Sequence, residues 1–269
     1  MGLRASYLFQ SLIVFYFIPF APKATGSSWF YWRKIHRKNR LQTLRMLYIH
    51  YYRFGQVIID KIAVLAGFNN KFNYDFYNYD TFLDILNGDT GAVMIGAHFG
   101  NWEMGSQFFG DYAPKLNIVM YDAEYQKIKE KLNNIMGNKT YHVILVNEDN
   151  WSHVFAIKEA LDKKEYVCFQ GDRFVNEKYI LKTSFLGREA NFPIGPFQIA
   201  SRFKVPVVFY FSEKESRYKY NFRFFFADPV KRSREIKPEQ ALLNQYVKVL
   251  ENRIKEHPEQ WFNFYPFWT

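Results

Sequence analysis

A histidine and a carboxylate lie five residues apart in the segment Ala97–Glu103 of this 269-residue chain. The histidine is His98 and the carboxylate is Glu103. An imidazole can take a proton from a hydroxyl when a carboxylate binds its other ring nitrogen and fixes the tautomer. The pair therefore predicts general-base chemistry, although a His-x4-Glu spacing also occurs by chance in segments with a purely structural role.

The residues around this pair predict its place in a fold. The apolar run Ala92–Gly96 is short and follows a turn-like Asn87–Asp89, which is typical of a buried strand. Glycines on both sides of the histidine permit a sharp turn, and a helix is expected from Asn101. We therefore expect His98 in a strand-to-helix loop at the carboxyl edge of a sheet, where open α/β sheets bind ligands.

A second strand-like run ends in polar residues that suit a substrate site. Val167–Gln170 leads directly into Gly171-Asp172-Arg173. An arginine at the end of a strand can hold a phosphate or carboxylate through two parallel hydrogen bonds. A surface turn can have the same Asp-Arg composition, so the segment alone leaves both interpretations open.

Two later segments also have a proline near the predicted start of a helix or strand. Phe192–Gly195 precedes a helical pattern in which Pro196 suits the first turn, and free N–H groups there can hold an anion. A structural helix start would look the same. Lys204–Phe211 is predicted to be a buried strand with Pro206 near its beginning, because proline cannot donate to a strand ladder.

Taken in this order, these segments resemble the lysophospholipid acyltransferase superfamily, and more closely its lipid A late acyltransferase (lauroyl or myristoyl transferase) branch with that branch's uncharacterised bacterial relatives. The resemblance covers about Tyr7 to Trp268. Its blocks are the His-x4-acid block at His98–Glu103, the Asp-Arg ending at Phe169–Arg173, Phe192–Gly195, Val205–Val208, and the Pro-x-Gln-Trp tail within His257–Tyr265.

The chain departs from the family pattern at two places. The third block lacks the Glu and Arg of the Pro-Glu-Gly-Thr-Arg form, which argues against a glycerol-phosphate acceptor. The tail ends in Tyr265–Trp268 without the basic pair that often closes lipid A enzymes. The acceptor therefore stays open among lipid A precursors, an amino-acid lipid, a glycolipid and a polyene pigment lipid.

The resemblance implies an acyltransferase that moves a fatty acyl chain from a thioester to a lipid hydroxyl or amine, without a cofactor. His98 would be the general base and Glu103 would orient its ring. Acyl carrier protein is expected over acyl-CoA, because the branch commonly uses it. The expected substrate-binding residues are Asn101 and Trp102 around the pocket, Gly171 and Gly195 where backbone approaches closely, and Asp172, Arg173 and, more weakly, Arg188 for a headgroup or phosphopantetheine.

Composition narrows the classes of partner. The net charge is +10 and aromatic residues make up 20% of the chain, which suits an acidic carrier, an anionic membrane or nucleic acid. No nucleic-acid-binding motif is present, so no nucleic-acid partner is expected. The remaining histidines show no ligand spacing, so no metal is expected. The single cysteine, Cys168, is predicted to be buried and inert.

The amino terminus predicts membrane association. Tyr7–Phe20 is almost wholly apolar but short for a perpendicular span, so a short anchor or re-entrant helix is favoured over a signal peptide, a myristoylated start or a buried helix. Trp29, Tyr31 and Trp32 beside the basic run Arg33–Arg40 predict an aromatic belt at an anionic leaflet, or else a solvated basic helix face. The expected location is the cytoplasmic face of the bacterial inner membrane.

Strand patterns that alternate with helix patterns predict an α/β fold: a central mixed sheet flanked by helices, an acyltransferase-like αβα sandwich with an N-terminal hydrophobic helix. We expect residues 1–24 to form the membrane-anchoring segment and residues 25–269 a single domain. Helices are predicted at 28–52 and 54–66 with a break near Gly55, and at 101–110 and 123–136. A non-catalytic lipid-binding protein is the alternative function, but it gives His98 and Glu103 no shared purpose.

Overall fold

The computed structural model describes residues 2–102, 104, 110–121, 141–147, 150–231 and 233–268. The helices are α1 Leu3–Phe20, α2 Pro22–Phe30, α3 Arg40–Leu65, α4 Tyr79–Leu86, α5 Ser152–Asp162, α6 Ile194–Arg202 and α7 Pro238–Glu256. The strands are β1 Asn73–Tyr77, β2 Ala92–Gly96, β3 Leu116–Tyr121, β4 His142–Val146, β5 Tyr166–Gln170, β6 Ile180–Phe185, β7 Arg188–Pro193, β8 Val207–Ser216 and β9 Lys219–Phe226.

A seven-stranded mixed sheet forms the centre, in the order β1-β9-β8-β2-β5-β3-β4. Strands β8, β2, β5, β3 and β4 run parallel, and β9 pairs antiparallel with β8. All five residues of β2 are buried. Val93 and Ile95 pack in one apolar layer with α7, and Ala92 and Met94 pack in the other with α4. The predicted α/β sandwich with covered faces and an N-terminal apolar helix is confirmed.

The sequence predicted most of the strands well. The predicted strand Ala92–Gly96 has the same bounds as β2, and Val167–Gln170 lies within β5. The predicted strand Lys204–Phe211 overlaps β8, which Pro206 immediately precedes. The predicted helix 123–136 lies outside the described residues, and so do Glu103 and residues 105–109 of the predicted helix 101–110.

The prediction of one helix over 28–52 was wrong. The chain instead forms α2, a π-helical turn at Tyr31–Ile35 and then α3. Arg37 adopts a left-handed φ of 53°, which ends the first helix. Asn39 starts α3 through a capping box with Gln42, in which each side chain bonds the other residue's backbone N–H.

The predicted break at Gly55 was also wrong, since α3 runs through this residue. The glycine serves close helix packing instead. A Cβ atom at Gly55 would lie 2.2 Å from the side-chain nitrogen of Gln10 on α1. That nitrogen donates to the carbonyl oxygen of Tyr52 at 3.0 Å, so the small residue lets a polar side chain of α1 bond to α3.

One face of α1 packs on α3 and the other face is exposed. Tyr7, Gln10 and Val14 are the buried residues. The exposed apolar side chains of α1 are Leu8, Phe9, Leu12, Phe15, Tyr16, Phe17 and Phe20. Among the described residues, α1 is the helix with the length and hydropathy to cross a membrane, a test that signal sequences near an N-terminus also pass.

The predicted aromatic belt is only partly present. Trp29 is half-buried, but Tyr31 and Trp32 are fully buried. The ring centroid of Tyr31 lies 5.5 Å from that of Trp261. Burial of these two side chains attaches the π-helical turn to the C-terminal segment, and the prediction missed this because the turn rotates them inward.

A buried ion pair joins α3 to β8. Asp60 and Lys214 are both buried, and the ammonium bonds the carboxylate. The hydroxyl groups of Tyr7 and Tyr220 also donate to Asp60. Burial lowers the pKa of Lys214, and the charge of Asp60 opposes this effect. These four side chains thus link α1, α3 and the β8–β9 hairpin around the buried carboxylate of Asp60.

We expect Lys214→Met to lower the free energy of unfolding by about 3–5 kcal/mol, because it leaves Asp60 buried without its counter-charge. The double variant Asp60→Asn/Lys214→Met should be more stable than the single variant, since no lone charge remains. Denaturant unfolding measures both, with Lys158→Met in the exposed Lys158–Asp162 pair as a near-neutral control. A double variant no better than the single one would contradict this account.

His50 holds the C-terminal segment from within the core. Its Nε2 lies 2.9 Å from the carbonyl oxygen of Trp261, so Nε2 carries the proton, and Nδ1 accepts from the Ser28 hydroxyl at 2.7 Å. Burial lowers the pKa of His50 to about 4. The folded protein therefore keeps this imidazole neutral where an unfolded chain would protonate it.

Stability should accordingly fall as pH drops from about 6.5 to about 4, because only the unfolded chain binds the proton in that window. His50 contributes up to about 3 kcal/mol of this loss, and His36, whose pKa burial and Lys38 also lower to about 4, adds to it. His50→Gln should flatten the dependence, as measured by unfolding at a series of pH values. His142→Gln, at an exposed position, is the control; equal slopes in both variants would contradict the assignment.

Candidate active site

Two parallel strands bring His98 and Asp172 together. In the register of β2 and β5, Gly96 lies opposite Gln170. Each functional residue follows its strand by two positions, so both leave the same carboxyl edge of the sheet. The imidazole Nδ1 of His98 lies 2.8 Å from Oδ1 of Asp172. The sequence placed both residues at strand exits but did not pair them.

Asp172 is a buried carboxylate surrounded by N–H donors. The backbone N–H of His98 and the indole N–H of Trp261 both donate to Oδ2 at 2.9 Å. Burial raises the pKa of Asp172, but the charge and hydrogen bond of His98, the charge of Arg173 and the indole bond together lower it below its usual value. The carboxylate is thus ionised and accepts only, which places the ring proton on Nδ1 and makes Nε2 of His98 the basic nitrogen.

The loop after His98 depends on a glycine. Gly100 has a left-handed φ of 58°, and a Cβ atom there would lie 1.6 Å from the carbonyl oxygen of Ser212. Asn101 N–H donates to the same oxygen at 2.9 Å, and Gly100 N–H donates to the Gln260 carbonyl at 2.8 Å. No larger residue could approach β8 this closely, so the glycine fixes the turn that presents the imidazole.

The C-terminal segment completes the site from the opposite side. Phe262 N–H donates to the His98 carbonyl at 2.8 Å. The side-chain amide of Gln260 accepts from Lys214 N–H at 2.7 Å and donates to the Lys214 carbonyl at 3.0 Å. The Pro-x-Gln-Trp tail therefore has a physical role: its glutamine docks the segment on β8, and Trp261 binds Asp172. The sequence flagged this tail but did not assign it to the site.

The residues predicted around the pocket separate into two groups. The Trp102 ring centroid lies 4.9 Å from that of His98, so this indole flanks the imidazole. Asn101 is fully buried instead, and its amide is 3.4 Å from the Val57 carbonyl oxygen and also donates to Met104. Asn101 therefore supports the loop from inside. Glu103, the predicted partner of His98, lies outside the described residues.

The other predicted substrate residues differ in their surroundings. Arg173 donates to the Phe262 carbonyl at 2.9 Å and so also holds the C-terminal segment. The Gly171 N–H already donates to the Gly96 carbonyl at 2.9 Å, which occupies the amide expected to approach a substrate. A Cβ atom added at Gly195 would lie in open space, with no heavy atom outside its chain neighbours and its own helix backbone within 4 Å. Arg188 follows the β6–β7 turn, with its guanidinium carbon 5.5 Å from the Phe30 ring centroid.

Cys168, the one cysteine of the chain, is a poor candidate for a nucleophile. Cys168 lies in β5, and burial raises the pKa of its thiol to about 12, which disfavours the nucleophilic thiolate. Across the described parts of the chain, no three His, Cys, Asp or Glu side chains are grouped as metal ligands would be.

The comparisons with known proteins identify a family for this chain. The model of one family, described as bacterial lipid A biosynthesis acyltransferase, matches residues 46–269. This range includes β2, β5 and the Pro-x-Gln-Trp tail. No curated protein sequence matches the chain. Because the family match covers well over half of the residues, the chain belongs to the bacterial lipid A biosynthesis acyltransferase family and is an acyltransferase.

Proposed function

We propose that His98 is the general base of this bacterial lipid acyltransferase and that Asp172 orients it. The observation that carries the proposal is the bond between His98 Nδ1 and the buried Asp172 carboxylate. That bond leaves Nε2 as the nitrogen that accepts a proton from the acceptor. A positioned base of this kind contributes about 10²–10⁴-fold to rate.

The proposed reaction needs no covalent acyl-enzyme. Nε2 of His98 takes the proton as the acceptor oxygen or nitrogen attacks the thioester carbonyl. Asp172 stabilises the imidazolium that forms. The tetrahedral intermediate then expels the donor thiolate, which recovers the proton from the imidazolium. The acceptor itself is the nucleophile, which is consistent with a site built around a base without a neighbouring protein thiol.

Glu103 enters the proposal as a second acid, by its place in the His-x4-acid block. Asp172 already bonds Nδ1, so the orienting role first expected of Glu103 is assigned here to Asp172. The contribution of each carboxylate is therefore a question for separate variants.

The substrates are proposed from the family and the charge of the chain. An acyl-acyl carrier protein donor is favoured over acyl-CoA because a chain of net charge +10 attracts an acidic carrier. The acceptor is a lipid A-type or related bacterial lipid, with an amino-acid lipid, a glycolipid or a polyene pigment lipid as alternatives. Arg173 is proposed to position substrate. The family is membrane-associated, and we place the enzyme on the cytoplasmic face with residues 1–24 as its anchor.

His98→Ala and Asp172→Asn should each lower turnover by about 10²–10⁴-fold, because the first removes the base and the second permits the wrong tautomer. Glu103→Gln should retain more activity than His98→Ala. Transfer of labelled acyl chains from acyl-acyl carrier protein and from acyl-CoA to bacterial membrane lipids measures all three. Near-normal turnover by His98→Ala would overturn the general-base assignment, and faster transfer from acyl-CoA would reverse the proposed donor preference.

Trp261→Phe should lower kcat by roughly tenfold, because Asp172 loses a hydrogen bond to its charged form, worth about 1.5–3 kcal/mol. The same loss raises the carboxyl pKa, so the acid limb of the pH-rate profile should move to higher pH. Trp268→Phe is the matched control, since its buried indole N–H has no hydrogen-bond partner among the described residues. An equal fall in both variants without a shifted profile would assign Trp261 a packing role only.

A further inference from the structure

An open groove of about 630 Å³ lies apart from the residues around His98. It is lined by residues of α2, the π-helical turn and the start of α3, namely Gly26, Trp29, Phe30, Arg33, Lys34 and Arg40. Its volume is in the range of small-molecule sites. Apart from the glycine, two of these residues are aromatic and three are cationic.

The three cations of the groove differ in their contacts and exposure. Arg33 donates to the Lys38 carbonyl and thereby holds the loop before α3. Lys34 and Arg40 are exposed. The Arg188 guanidinium lies above the Phe30 ring, which adds a further positive charge beside the groove. This convergence of like charges favours an anionic ligand, and phosphate is the anion that Arg and Lys bind well together.

The groove borders the exposed apolar surface at the N-terminal end of the protein. The Thr25 hydroxyl donates to the Ile18 carbonyl at 2.8 Å, which fixes the start of α2 against the last turn of α1. Phe20 in that turn is 69% exposed, and Leu41, next to Arg40 in the chain, is 79% exposed. An anion that binds here would therefore lie between the cations of the groove and exposed apolar side chains.

We propose that this groove binds the phosphate headgroup of an anionic membrane phospholipid and so sets how the enzyme sits on the bilayer. Trp29 and Phe30 line the groove, and aromatic rings of this kind favour the headgroup level of a membrane. The exposed side chains of α1 and Leu41 then face the acyl chains. An acidic carrier protein would satisfy the charges but leave those apolar side chains in water, so a lipid fits both features.

Vesicle flotation of the full chain tests the proposal. Lys34→Gln/Arg40→Gln removes two groove cations, and Lys23→Gln/Arg37→Gln removes two exposed cations of the same region that do not line the groove. On vesicles that contain phosphatidylglycerol, the first variant should bind about 30-fold more weakly than the parent. The second should lose less than about threefold. On phosphatidylcholine alone, both should match the parent, because α1 and its neighbours remain.

Three results would overturn the proposal. Equal losses in the two variants would mean diffuse attraction by the basic region and no defined site. Inorganic phosphate or glycerol phosphate that binds as tightly as the vesicles, and only when Lys34 and Arg40 are present, would make the ligand a free phosphate. Unchanged vesicle binding by Lys34→Gln/Arg40→Gln together with lost binding of acyl carrier protein would assign the groove to a protein partner.

Discussion

The buried carboxylate of Asp172 unites three parts of the chain that are distant in sequence. It accepts from the imidazole and backbone of His98 after β2, it follows β5 itself, and it accepts from the indole of Trp261 near the C-terminus. A buried carboxylate is unfavourable unless such donors surround it. This hydrogen-bonded cluster therefore forms only when sheet, loop and C-terminal segment are all in place, so the catalysis that we propose for it depends on the completed fold.

Most of the remaining architecture can be understood as support for that carboxylate. The Gln260 amide fixes the tail to β8, and His50 holds the Trp261 carbonyl from α3. The Asp60–Lys214 pair in turn joins α3 to β8 next to the same segment. Each contact is buried and hydrogen-bonded, which favours a rigid support, and a general base of the kind proposed for His98 needs rigidity to stay aligned with its acceptor.

The helices that support the site also carry exposed apolar side chains. Residues of α1 and α3 bury polar side chains such as Gln10 and Asp60 on their inner faces and expose apolar ones outside. α1 departs from the usual soluble helix because most of its large apolar side chains are exposed, whereas α3 still buries apolar residues such as Leu47 and Val57. The proposals that α1 anchors the enzyme and that the adjacent basic groove binds a phospholipid headgroup both rest on this exposed apolar surface.

The sequence by itself determined the strands that run through the core and the residues at their ends. Ala92–Gly96 and Val167–Gln170 are apolar enough to be strands in any fold, and a parallel sheet must bring their exits to one edge. His98, Asp172, the buried Cys168 and the acyltransferase family followed from such local patterns. The prediction of a helix break at Gly55 was wrong because the glycine makes room for the Gln10 side chain of another helix. No local sequence pattern contains that contact.

Only the tertiary structure decided which groups bond to which. Whether Asp172 bonds His98 depends on the register between β2 and β5, and whether Trp261 joins them depends on a tail that follows in sequence by almost ninety residues. Tyr31 and Trp32 were assigned to the membrane surface, yet the π-helical turn rotates both into the core. Composition fixes what a segment can bury, whereas the partner of each polar group is fixed by long-range packing, where the free energy of desolvation selects one arrangement.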